Sequence, residues 1–118
     1  MSGFSPAEVV QRTGFSLDTL RYYEKEGLLG AIERTATGRR VYSQSDVDWL
    51  GMVRCLRDTG MPIVELRRYV ELSADDGTIA ERIALLEVHD RAVQASIAEL
   101  RAQQKKVREK IAYYRGLD

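Results

Sequence analysis

The side chains able to act on or recognise another molecule are few and unevenly placed. One cysteine, Cys55, and one histidine, His89, stand far apart in the chain, while Arg34, Arg39 and Arg40 crowd a short stretch with little acid beyond Glu33. A cysteine nucleophile needs a general base and an orienting group, and His89 is the only imidazole on offer. A zinc site needs about four ligands, which one thiol and one imidazole do not supply, and a lone cysteine makes no intramolecular disulfide. These residues therefore predict no enzyme, no metal and no cofactor. The guanidinium cluster, with phenols at Tyr22 and Tyr42 nearby in sequence, suits charge-assisted hydrogen bonds to phosphate. The chemistry on offer is recognition of a polyanion.

Bulk charge does not point the same way. Eighteen basic residues balance eighteen acidic ones across 118 residues, so any nucleic-acid footprint rests on local arrangement. With 44% hydrophobic residues the chain can build one small domain plus an extension. Its apolar runs fall far short of the roughly 20 residues that span a bilayer, and Met1-Ser2-Gly3-Phe4 lacks an export pattern. A soluble, cytoplasmic protein with no membrane partner is expected.

The elements that must carry the arginines are marked by local signals. Ser5-Pro6-Ala7-Glu8 combines an N-cap serine, a first-turn proline and a capping-box glutamate, predicting a helix that Gly14 ends. Ser16 caps a second helix with apolar positions Leu17, Leu20 and Tyr23, and Gly27 gives it a left-handed exit. Two short helices across Thr13-Gly14-Phe15 make a helix-turn-helix. From Leu28 to Tyr42 the helical period is lost, and Thr37-Gly38 with Val41-Tyr42 predicts a small hairpin. Ser43 and Asp46 then cap a helix buried through Val47, Trp49, Leu50, Val53 and Leu56, which Gly60 stops. Pro62 starts another that runs through Leu72.

After the polar break at 73–77 no glycine or proline occurs until Gly116, which predicts one long helix. Within it Ile79, Ile83, Leu86, Asp90, Val93, Ile97, Leu100, Gln104, Val107, Ile111 and Tyr114 alternate in steps of four and three, a heptad seam. A helix of about 50 Å is too long for the N-terminal domain to cover, so a second copy of the chain is its simplest partner. Asp90 and Gln104 interrupt the seam. Either they fix register, or they mark where the two helices diverge. The expected organisation is a DNA-binding domain over 1–72, a linker over 73–77 and a dimerisation helix over 78–115.

Thr19-Leu20-Arg21-Tyr22-Tyr23-Glu24-Lys25-Glu26-Gly27-Leu28-Leu29, then Arg34, then Gly38-Arg39-Arg40-Val41-Tyr42, resembles the N-terminal signature of the MerR family of transcription regulators. Leu56-Arg57-Asp58-Thr59-Gly60-Met61-Pro62-Ile63 continues the likeness, which covers residues 4–72. Gly30-Ala31-Ile32 departs from it, since many members carry proline after the paired leucines. The resemblance implies a mainly α winged helix-turn-helix, its long helix forming an antiparallel coiled-coil homodimer. It also implies binding to a palindromic operator in double-stranded promoter DNA, beside RNA polymerase, with bending and untwisting of that DNA.

On that frame the second helix enters the major groove, with Ser16 and Thr19 near base edges or phosphates and Arg21 paired with guanine or phosphate. Tyr22 is expected to face phosphate while Tyr23 packs inward, and the sequence leaves the reverse assignment open. Arg34, Arg39, Arg40 and Tyr42 are expected to touch the backbone from the hairpin, and Arg57 and Arg68, with Arg54 and Arg67 beside them, are candidates for a second contacting edge. A charged helix face is also the ordinary solvated surface.

Arg54-Cys55-Leu56-Arg57 looks like the thiol-bearing branch of the family that answers aldehydes and other electrophiles, making Cys55 a candidate sensor. A lone helical cysteine is otherwise a small buried hydrophobe. The break at 73–77 has no thiolate metal ligand, and no ligand-binding domain follows the long helix before Asp118, so metal and large-ligand sensing are not expected. A coiled-coil adaptor that binds only protein would explain the seam but not the arginine-bearing hairpin.

Overall fold

The computed structural model describes residues 3–30 and 32–118; the expectations placed on Met1, Ser2 and Ala31 lie outside the described residues. Helix α1 (Pro6–Thr13) starts where Ser5 accepts from the Glu8 amide and Glu8 returns the bond to the Ser5 amide, satisfying two donors that a helix start leaves open. Gly14 ends it with φ 78°, and the adjoining Arg54 guanidinium occupies the place a Cβ would take. Helix α2 (Leu17–Lys25) is capped by Ser16, whose side chain accepts from the Thr19 amide. Its exit uses Gly27 at φ 73°, with the Leu28 amide donating to the Tyr23 carbonyl at 2.9 Å.

Strands β1 (Glu33–Arg34) and β2 (Arg40–Val41) form an antiparallel hairpin with Glu33 opposite Val41 and Arg34 opposite Arg40. Gly38, at φ 85°, turns the chain between them. A bridge from Phe4 to Tyr42 adds a third strand-like segment, joined by amide-to-carbonyl bonds of 2.7 and 2.9 Å. Helix α3 (Gln44–Asp58) begins with a reciprocal Ser43–Asp46 capping box, and Gly60 closes it with the same left-handed exit that Gly27 gives α2. Helix α4 (Ile63–Ser73) follows Pro62. The polar break is itself hydrogen-bonded: Asp76–Thr78 form a 3₁₀ turn, with the Gly77 amide donating to Asp75 Oδ1.

The contacts divide the chain into two units, Met1–Thr78 and Ile79–Asp118. In the first, Val9, Leu20, Leu28, Tyr42, Leu50, Val53 and Leu66 are fully buried, so that each of its four α-helices contributes to the core. Trp49 stacks on Tyr69 at 5.5 Å and donates from Nε1 to the Leu28 carbonyl at 3.1 Å, pinning the exit of α2 to α3 and α4. The second unit is helix α5 (Ile79–Leu117), 39 residues that continue through Gly116. At about 1.5 Å per residue it extends nearly 60 Å. The seam residues Ile83, Ile97, Leu100, Val107 and Ile111 are exposed along it. No helix among the described residues is long and apolar enough to cross a membrane.

Candidate nucleic-acid interface

Helix α2 is amphipathic. Leu20 and Tyr23 are buried, and Phe15 meets the Tyr23 ring edge-on at 5.3 Å, which seats the helix. The opposite face carries Leu17, Asp18, Arg21, Tyr22 and Lys25, all exposed, with Leu17 at 41% and Tyr22 at 50%. The two adjacent tyrosines are thus sorted by helix geometry: Tyr23 is an anchor and Tyr22 presents its phenol outward. Arg21 makes no ion pair or hydrogen bond among the described residues, so its guanidinium is uncommitted. Ser16 and Thr19 share their hydroxyls at 2.9 Å across the cap, where the α2 backbone donors and positive dipole end lie.

On the hairpin the arginines differ. Arg39 is exposed and free of ion pairs among the described residues. Arg34 and Arg40 both reach Glu24 in the last turn of α2: Arg34 Nη2 lies 3.6 Å from Oε1, and Arg40 Nε donates to Oε2. Arg34 also donates to the Gly38 carbonyl at 3.0 Å, across the turn. Glu24 thus ties the hairpin to α2, although the sequence assigned it no role within the signature.

Tyr42 requires a correction. It is 1% exposed, so its phenol belongs to the core and not to a DNA-facing surface. Main-chain bonds to Phe4 fix the Tyr42 backbone just after β2, and its ring lies among the fully buried side chains of the core. Burial first, and the Glu24 carboxylate next, push its phenol above the ordinary tyrosine range.

The arginines of α3 and α4 mostly brace the fold. Arg54 Nη1 donates to the Thr13 carbonyl at the end of α1, where a cation also complements the helix dipole, while its Nε holds Asp58 at 3.2 Å. Arg57 lies over the Phe15 ring at 4.9 Å and pairs with Asp58. Both guanidinium groups hold the Asp58 carboxyl below its usual range, Arg57 foremost. Arg67 grips Glu26 through its side chain at 3.2 Å and its carbonyl at 3.4 Å. Of this set only Arg68 is exposed and unpaired among the described residues, and no hydrogen bond or ion pair joins it to α2 or the wing. Cys55, on α3, is exposed, and the arginines that flank it in sequence are directed to Asp58.

A three-helix frame that seats an amphipathic helix by one face, caps its N-terminal end and braces a basic hairpin against it defines a winged helix-turn-helix regulator. Residues 4–72 match the family described as MerR HTH family regulatory protein, and residues 47–110 match the one described as MerR, DNA binding. The chain belongs to the MerR family. It is 36% identical over 112 residues to an uncharacterized HTH-type transcriptional regulator of Haemophilus influenzae, spanning 94% of this chain and 83% of that one. The regulator AdhR of Bacillus subtilis is 35% identical over 81 residues, which cover 68% of this chain and 58% of AdhR. Among solved structures, HiNmlR, a MerR family regulator lacking the sensor domain and bound to promoter DNA, superposes with a TM-score of 0.89. The two are 35% identical, covering 96% of this chain and 86% of HiNmlR. This chain is a DNA-binding transcription regulator and not an enzyme.

Proposed function

We propose that two copies of the chain, paired antiparallel through the α5 seam, grip a palindromic operator in a promoter and distort the DNA between its half-sites for RNA polymerase. The observation that carries this reading is the exposed, uncommitted Arg21 on a helix whose other face is locked into the core. Arg21 and Tyr22 face the groove and its phosphates, Ser16 and Thr19 bring the helix start to the backbone, and Arg34, Arg39 and Arg40 grip flanking phosphates. Residues 1–72 form the DNA-binding part, 73–77 the connection and 78–115 the dimerising helix, at work in the cytoplasm. Bending a short site costs on the order of 1 to 6 kcal/mol, so a signal that shifts the dimer between two shapes switches transcription with little change in affinity. Arg57 and Arg68 remain secondary contacts in this scheme, Arg68 being the better placed because it is unpaired.

Duplex binding as a function of salt tests it. Arg21→Ala and Arg39→Ala are expected each to weaken operator binding about tenfold or more and to flatten the salt slope, with the dimer intact by sedimentation. Native affinity in both variants, or loss of the dimer in either, overturns the assignment.

The exposure of Cys55 supports a second, finer reading in which its thiol senses an aldehyde or another electrophile. In vitro transcription from the protein's own promoter, with and without formaldehyde or methylglyoxal, compares the native chain with Cys55→Ala. A response confined to the native chain supports the sensor; equal behaviour of the two leaves Cys55 a helix-surface residue and the signal elsewhere.

A further inference from the structure

The wing carries a conflict of its own. Arg34 and Arg40 are direct cross-strand partners, and like charges so placed repel. A ladder of two residues per strand has little to set against that repulsion. Glu24 lies against both guanidinium groups, one carboxylate oxygen to each, with 24% of its side chain exposed. It removes the repulsion and leaves the trio one net positive charge. Because Glu24 sits in the last turn of α2, the same contacts fix where the wing stands relative to the recognition helix.

We propose that Glu24 is a positioning residue for DNA recognition: it locks Arg34 and Arg40 to α2, so that helix and wing read a duplex as one rigid body. The inference rests on the DNA-binding reading above. A loose wing arginine accepts any phosphate of any duplex and adds affinity without selectivity. A fixed one accepts only the phosphate that lies in register with the helix in the groove. Glu24 therefore subtracts from indiscriminate binding and adds to discrimination.

The test uses the full chain, a duplex that the native protein selects from a random pool, and a scrambled duplex of equal length, each titrated with salt. Glu24→Gln is expected to bind the scrambled duplex a few-fold more tightly, with a salt slope steeper by about one. Its preference for the selected duplex is expected to fall roughly tenfold, and Glu24→Asp to restore part of that preference. Native preference and slope in Glu24→Gln overturn the inference while leaving the DNA-binding reading standing. Equal weakening on both duplexes with an unchanged slope and a lowered Tm also overturns it, since Glu24 would then hold only the fold. If the native chain shows no salt-dependent duplex binding, the DNA-binding reading fails and this inference with it.

Discussion

Leu50 and Leu66 in the first unit are 0% and 1% exposed, whereas Leu100 and Val107 on α5 are 65% and 59% exposed. The residue types are alike; their surroundings are not. The first unit folds back on itself through its capped helices and glycine turns, so its core side chains find their neighbours within the same chain. Helix α5 is a single 39-residue element, and most of its apolar stripe lies exposed along it. In the dimer proposed above, a second helix buries that stripe, at roughly 25 cal/mol per Å² of apolar surface. Under the proposed pairing, the first unit's stability is a property of one molecule, and that of α5 a property of concentration.

The sharpest way to break this contrast is to place a charge in the seam. Ile97→Asp is expected to weaken self-association about a hundredfold or more, read by sedimentation equilibrium, because a carboxylate there is desolvated without a partner. A native oligomeric state in this variant would mean that the seam is not the contact surface. In the first unit, Leu50→Ala is expected to cost about 2 to 5 kcal/mol in denaturant unfolding of the core, independent of protein concentration. A concentration dependence there would erase the distinction.

Gly14→Ala sharpens the picture of the first unit. Its φ of 78° disfavours any side chain, and the new methyl would displace the Arg54 guanidinium from the end of α1. The expected loss is about 1 to 3 kcal/mol in thermal unfolding, and an unchanged Tm would show that α1 and α3 do not depend on this approach. The smallest effect is alkaline. The Tyr42 phenol is raised in the folded state, so the fold keeps its proton longer than the unfolded chain does. Its stabilisation is complete below the ordinary phenol range near about 10 and is lost as pH rises through the raised value. Tyr42→Phe is expected to remove that part of the alkaline loss in a pH series of unfolding curves. An identical alkaline limb would assign the loss to other groups.

What the sequence disclosed follows from distance along the chain. The caps at Ser5, Ser16 and Ser43 and the exits at Gly14, Gly27 and Gly60 are written within a few residues and appear where those residues place them. The helical period favoured Tyr23 inward and Tyr22 outward but left the reverse open, and the packing of Tyr23 against Phe15 decides it. The burial of Tyr42 was not legible, because a strand of two residues has no alternation to read and the main-chain partner that holds it, Phe4, lies far upstream. The bracing arginines were opaque for the same reason. Arg54 and Arg67 each find a backbone carbonyl 41 residues away, and Arg40 meets Glu24 across 16. From sequence alone such residues look like a solvated or DNA-facing edge.

The bond from Trp49 to the Leu28 carbonyl has an optical side. Trp49 is the single tryptophan of the chain, and its indole donates to the backbone at the point where the recognition helix hands over to the wing. Its emission therefore comes from one address. A shift in its colour on adding duplex reports rearrangement at that handover without a label, and a constant spectrum during binding means that helix and wing reach DNA already assembled.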